Sequence, residues 1–248
     1  MNPATPPRRH WIGNTLLGIC LAVPCSLILF CLWPRDWGRR DFSRRHATLN
    51  NLRNVGIAVQ AYATTFQRWV PAGGSVEDVL PEWSWQTQLL PYLEQQTLYR
   101  KIDFTRAWNS PDNTPLSAIN ISILLGHNNP NRGPVDGFGI THFTGNSRVF
   151  TPRVRWTLDD ISMKDGTSAT LLLGEIASAC PPWARPGNTR DPARGLAGGV
   201  DQFGTSPEAP CAVMFASGSS RYLSPDISPR VLELLADPDN GVPTDEEY

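Results

Sequence analysis

The stretch RRHATLNNLRNVGIAVQAYATTF, residues 44–66, decides the fold. Leu52, Val55, Val59, Tyr62 and Phe66 follow one another at spacings of three, four, three and four, which sets them on one face of a helix. Asn50, Arg53, Asn54 and Gln60 fall on the opposite face. Such a stripe predicts an amphipathic helix packed on a domain behind it.

Upstream, Pro34 and Gly38 predict a break, and residues 34–45 read as a basic hinge. Before the hinge lies WIGNTLLGICLAVPCSLILFCLW, Trp11–Trp33, 23 residues without a charge. As a helix it would measure roughly 34 Å, enough to cross a hydrocarbon core of about 30 Å. A tryptophan stands at either end, where amphipathic rings favour the headgroup zone. Arg8-Arg9 and Arg35 flank it, which a buried core helix would not need. A secretory signal would carry a shorter apolar core and a small-x-small site, and Pro34-Arg-Asp-Trp-Gly offers neither. The expectation is a retained single-pass anchor at 11–33, preceded by a short tail, 1–10.

Downstream, Trp83 is expected to open a short helix that breaks near Pro91, with Trp85, Leu89, Leu93, Leu98 and Tyr99 inside. Ile119–Leu125 suggests a strand and 138–155 a hairpin. Asp165-Gly166 reads as a turn before a buried strand, Thr170–Gly174. Residues 177–206, with Pro181, Pro182, Pro186 and Pro192, read as a long surface loop, the kind that carries binding. CAVMFASGSSRYLS reads as two strands about a turn at Ser217-Gly218. Ser228-Pro229 opens a helix, serine as N-cap and proline first, with Val231, Leu234 and Leu235 on its apolar face. An acidic tail, 237–248, closes the chain.

Composition supports this loop-rich reading: of 248 residues, 40% are hydrophobic and 18% charged, with Pro 23 and Gly 20. The net charge of −1 excludes a globally basic nucleic-acid binder. It conceals an asymmetry, since Arg8–Arg45 carries a net +5 and His46–Tyr248 a net −6. Three cysteines, Cys20, Cys25 and Cys31, lie in the apolar span. Cys180 and Cys211 are compatible with one disulfide or with two unrelated buried thiols; they are expected to be close in space.

The ordered set NNLRNVGIAVQAY, WSWQTQLLPYLEQQTLYRKIDF with AWNSPDN, DGTSATLLLGE with PPWARPG, and FASGSSRYL resembles the planctomycete-type family described as domain of unknown function 1559, over about Ala47 to Ala236. The resemblance implies a pilin- or pseudopilin-like architecture. It comprises an anchor helix, a spine helix at about 46–66 and a head over 67–236, together a family domain over 46–236. The expected fold is therefore α+β: an N-terminal transmembrane helix, then an amphipathic spine helix packed on an antiparallel-β, loop-rich, pilin-like head. The head is expected outside the cytoplasm. This runs against the arginine count, two before the span and five after it.

Departures from the family pattern carry information. Pilin-type members begin GFTLIE; here the region reads HWIGNTLLGIC, with Gly13 for the first glycine and Gly18 where the glutamate would stand. Without that carboxylate nothing offsets a neighbouring N-terminal ammonium in lipid, so a non-polymerising protein is expected. Family members also carry a cysteine before NNL and another in a CPSD-like segment, where this chain has Thr48 and Gly126. Ser217 replaces the hairpin's usual aspartate.

Candidate chemistry is thin. No GxSxG elbow, P-loop or HExxH occurs, and the expectation is no enzyme and no cofactor. Glu175, at the end of LLLGE, could serve as a general acid if buried in a cleft with Asp165, against the commoner fate of capping a turn or pairing with an arginine. Asp237, Asp239, Asn240 and Asp245 resemble a loose calcium loop but miss the EF-hand spacing, so no metal site is expected. Trp83, Trp85, Trp108 and Trp183 could form a sugar-stacking surface, against the commoner fate of aromatic core. The expected role is a membrane-anchored structural or surface protein. Its partners would be the lipid bilayer and other pilin-like subunits or secretion machinery, with no nucleic acid. The alternative is an anchored glycan- or solute-binding module.

Overall fold

A computed structural model describes residues 36–66, 83–151 and 156–241, with side chains from Phe42 onward. The span at 11–33, with Cys20, Cys25 and Cys31, lies outside the described residues, as do 67–82, 152–155 and 242–248. Among the described residues, no helix is long and apolar enough to cross a membrane. The chain divides between Phe42 and Ser43 into two units, and the second, Ser43–Tyr248, holds the sheet and the short helices.

Helix α1 spans Asp36–Phe66. It starts ten residues before the expected spine helix, so the hinge expected at 34–45 is helical from Asp36 on. One glycine inside a helix costs only about 1 kcal/mol, and Gly38 does not break it. The apolar stripe packs as its spacing demands: Leu52, Val55 and Val59 are fully buried and Tyr62 nearly so. Phe66, the last of the stripe, is half exposed and stacks on Tyr62 with ring centroids 4.6 Å apart. Gly56 lets the helix approach the sheet closely, because a Cβ there would overlap the Met214 side chain at 1.5 Å.

The sheet runs β3-β1-β2-β4-β5, where β1 is Phe143–Asn146, β2 Leu171–Glu175, β3 Thr189–Arg190, β4 Cys211–Phe215 and β5 Ser220–Leu223. It is antiparallel except at one edge, where the two-residue β3 lies parallel to β1. The residues of β4 alternate between two cores. Ala212 and Met214 join α1, while Cys211, Val213 and Phe215 join helix α6, Pro229–Ala236. The period of two thus places one helix on each face of the sheet. In α6 Leu232 takes the buried position expected of Leu234, which is only half-buried.

Short helices fill the remaining layer. Helix α2, Trp85–Leu89, is capped by the Ser84 hydroxyl, which accepts from the Thr87 amide at 3.1 Å. A 3-10 turn, Leu90–Leu93, carries Pro91 near its start, and α3, Gln96–Tyr99, follows. Helices α4, Thr114–Ser117, and α5, Leu158–Met163, complete the set; α5 has a full capping box between Thr157 and Asp160. Two expectations are corrected. Ile119–Leu125 contains a 3-10 turn at Ser122–Leu124 in place of a strand. Among the described residues of the expected hairpin, 138–151, β1 is the one strand, and it pairs with β2 and β3. Central strands bury both faces, so pairing here follows the long-range core more than local turn signals.

Candidate functional site

Strand β2 ends in Glu175, and its register opposite Phe143 on β1 carries the carboxyl into the interior. The side chain is fully buried. Its Oε2 accepts from the Asn128 amide at 3.4 Å, and its Oε1 has no hydrogen-bond partner among the described residues. A Cβ at Gly126 would stand 2.5 Å from Oε1, so the carboxyl is packed directly behind that glycine. Burial raises the Glu175 pKa to about 7, and the long Asn128 bond opposes it only weakly.

Around it sit further proton-holding groups. The Tyr222 hydroxyl receives the Asn128 amide at 3.2 Å and donates to the Arg45 carbonyl at 3.0 Å on α1. Burial pushes Tyr222 up to about 12. Cys211 is buried at the start of β4 and its thiol lies 3.8 Å from the Glu175 carbonyl; burial raises it too. His142, just before β1, accepts from the Gly126 amide at Nδ1 (3.0 Å) and donates from Nε2 to the Asn131 carbonyl (2.7 Å). Its desolvation lowers its pKa, against the two backbone hydrogen bonds that raise it. The cluster can hold a proton near neutrality.

The proposed partner of Glu175 is elsewhere. Asp165 accepts from the Asn240 and Gly241 amides at 2.9 and 2.8 Å, clamping the chain after α6. The acid–base pair is thereby corrected to two unrelated carboxyls. The same contacts revise the acidic segment. Lys164 pairs with Asp239 at 2.5 Å, and Arg148 gathers Asp191, Glu233 and Asp237 within 3.1–3.5 Å. Asp237–Gly241 is docked by these bonds, and Asp245 lies outside the described residues.

The four candidate tryptophans do not form a surface. Trp83, Trp85 and Trp183 are fully buried. Each indole N–H donates to a carbonyl, of Arg106 (3.1 Å), Asn188 (2.8 Å) and Ile119 (2.8 Å) respectively. Trp108 is half-buried and packs on Phe138 with centroids 4.8 Å apart. Rings of this size contribute most when desolvated with the N–H satisfied, and here that competition is won by the core. Cys180 and Cys211 are both free thiols; the candidate disulfide is absent. Their sulfurs contact the carbonyls of consecutive residues, Ile176 and Glu175, at 3.9 and 3.8 Å.

Several residues organise the structure through bonds that the chain's spacing does not show. Buried Asn113 fixes the AWNSPDN segment, accepting from the Asp103 amide (3.0 Å) and donating to the carbonyls of Asp103 and Ala107. Buried Asn146 donates to the carbonyls of Leu171 and Ala236, joining β2 to α6. Thr48 and the Gly126 region, placed together by the family resemblance as lost cysteines, do meet: the His127 amide donates to Thr48 Oγ1 at 2.8 Å.

A mixed α+β domain with a five-stranded sheet between a long N-terminal helix and a short C-terminal one is the class that the fold defines. Residues 39–120 match the model of the family described as "Protein of unknown function (DUF1559)". The match runs from within α1 to just past α4 and includes NNLRNVG, WSWQTQLLPYLEQ and AWNSPDN. No curated protein and no solved structure matches the chain.

Proposed function

We propose that this chain is a membrane-anchored surface protein of pilin-like architecture, with its head outside the cytoplasm, acting structurally as a single copy or in small complexes. The observation that carries the reading is the charge-free stretch Trp11–Trp33, which precedes by two residues a helix whose apolar stripe is buried in the head. A segment of that length and hydropathy favours the bilayer. The internal fate of Trp83, Trp85 and Trp183 supports a structural role over the alternative of a glycan- or solute-binding module, which drew on those rings. The missing glutamate at Gly18 supports an anchor that does not polymerise.

In fractionated cells the protein stays with the membrane after a carbonate wash, and protease added to spheroplasts digests the head. Release of a form that begins after residue 33 would refute the retained anchor, and a protected head would reverse the topology. Cross-linking in whole cells yields monomers and small oligomers; a regular ladder of high multiples would show a filament subunit instead.

A further inference from the structure

Helix α1, the loop 122–131 and the end of β2 share one hydrogen-bond network. The Asn51 amide donates to the carbonyls of Ser122 (3.2 Å) and Leu125 (2.9 Å), and the His127 amide donates to Thr48 Oγ1 (2.8 Å). Asn128 bridges Glu175 and the Tyr222 hydroxyl, which reaches on to the Arg45 carbonyl. At the centre sits a fully buried carboxyl with one long bond and, among the described residues, one unpartnered oxygen.

We propose that Glu175 is a proton-operated fastening, holding the loop 122–131 against α1 while it is neutral and releasing the loop when it ionises. The physical reason is the cost of a buried charge without a partner. Each neighbouring element was a potential source of compensation. From α1, Arg45 is exposed to solvent and its guanidinium stands 6.0 Å from the centroid of the Tyr222 ring. From the loop, Arg132 turns to His127 at 3.0 Å. Burial favours the neutral ring of His142, just before β1, and the protonated forms of Cys180, Cys211 and Tyr222. Among the described residues Asn128 alone bonds the carboxyl. An ionised Glu175 therefore reaches solvation only through water, and the loop over Gly126 is the layer packed on it.

The sign follows from linkage. The folded pKa, about 7, lies above the ordinary 4.5 of an opened state. The closed form is thus fully favoured below pH 4.5, loses ground between 4.5 and about 7, and changes no further above that. Between pH 5.5 and 8.5 the opening equilibrium rises roughly 30-fold.

The test is hydrogen exchange on the full chain in detergent micelles, with rates at the hydrogen-bonded Gly126 and His127 backbone amides corrected to intrinsic ones at pH 5.5 and 8.5. Wild type loses protection by roughly 30-fold across that interval, whereas Glu175→Gln holds it constant. Should Glu175→Gln fail to fold, Glu175→Met, neutral and of similar length, carries the same comparison. Constant protection in wild type, or an equal loss in the neutral variant, would overturn the proposal.

Discussion

Replacing Arg190 by methionine lowers stability by about 3 kcal/mol or more and frees the loop 177–206. The chain in this region is irregular and proline-rich, yet it is built around one buried guanidinium. Arg190, on the edge strand β3, donates to the carbonyls of Gly199 (3.0 Å), Gln202 (2.7 Å), Ser178 (2.6 Å) and Ala179 (3.3 Å). Both limbs of the loop are thereby fastened to the sheet. Methionine preserves the apolar stem and removes every donor, leaving four carbonyls to find water in a site that is nearly closed. Urea melts monitored by tryptophan fluorescence measure the loss, and exchange at the Gly199 and Gln202 amides reports the loop. Arg190→Lys should fall between the two, because a compact ammonium cannot reach four carbonyls at once. A loss below about 1 kcal/mol for the methionine variant would show that the loop is held by other means.

The second large effect is expected at Gly204, in the same loop. Its amide donates to the Glu175 carbonyl at 2.7 Å, and its φ is +95°. A Cβ there would stand 1.8 Å from the Leu196 carbonyl oxygen and 2.6 Å from its carbon, both backbone atoms that cannot swing aside. Gly204→Ala therefore combines left-handed strain with a main-chain collision, and a loss of at least about 3 kcal/mol follows. Gly137 is the control: its φ is +82° and nothing lies within 4 Å of its Cβ position. Gly137→Ala meets the strain alone, about 1–2 kcal/mol. Equal shifts in the melting temperature of the two variants would mean that the close approach at Gly204 is not present in solution.

Much of the scaffold was legible along the chain. The three-and-four spacing from Leu52 to Tyr62 identified a helix and its buried face, because a single periodicity fixes both at once. Thr170–Gly174 and the two halves of CAVMFASGSSRYLS read as strands because runs of apolar residues bounded by turn residues leave little else, and the hairpin turns at Gly218 with φ +88°. Ser228-Pro229 opened a helix, though its serine makes no side-chain cap bond. The reading failed where local signals were weak. Ile119–Leu125 has strand-like residues but sits under α1, where Asn51 takes two of its carbonyls. The basic stretch 34–45 reads as a hinge because Pro34 and Gly38 count as breakers, but a single glycine is a weak one and the helix runs through Gly38 from Asp36 on.

The candidate site shows the same division more sharply. Sequence alone determined the apolar span, the helical stripe, the buried central strands and the motif order that the family match bears out over residues 39–120. All of these depend on neighbours in the chain or on a period along it. Tertiary structure decided what each polar or aromatic side chain would do. Trp83, Trp85 and Trp183 became core because carbonyls far along the chain meet their indole N–H groups. Asp165 became a clamp for Asn240 and Gly241, and Arg190 the centre of a loop. Glu175 became a neutral acid only because Gly126, Asn128 and Tyr222, 49, 47 and 47 residues away, close over it. Burial and hydrogen-bond partners arise from contacts between distant segments, and one-dimensional spacing does not encode which segments will meet.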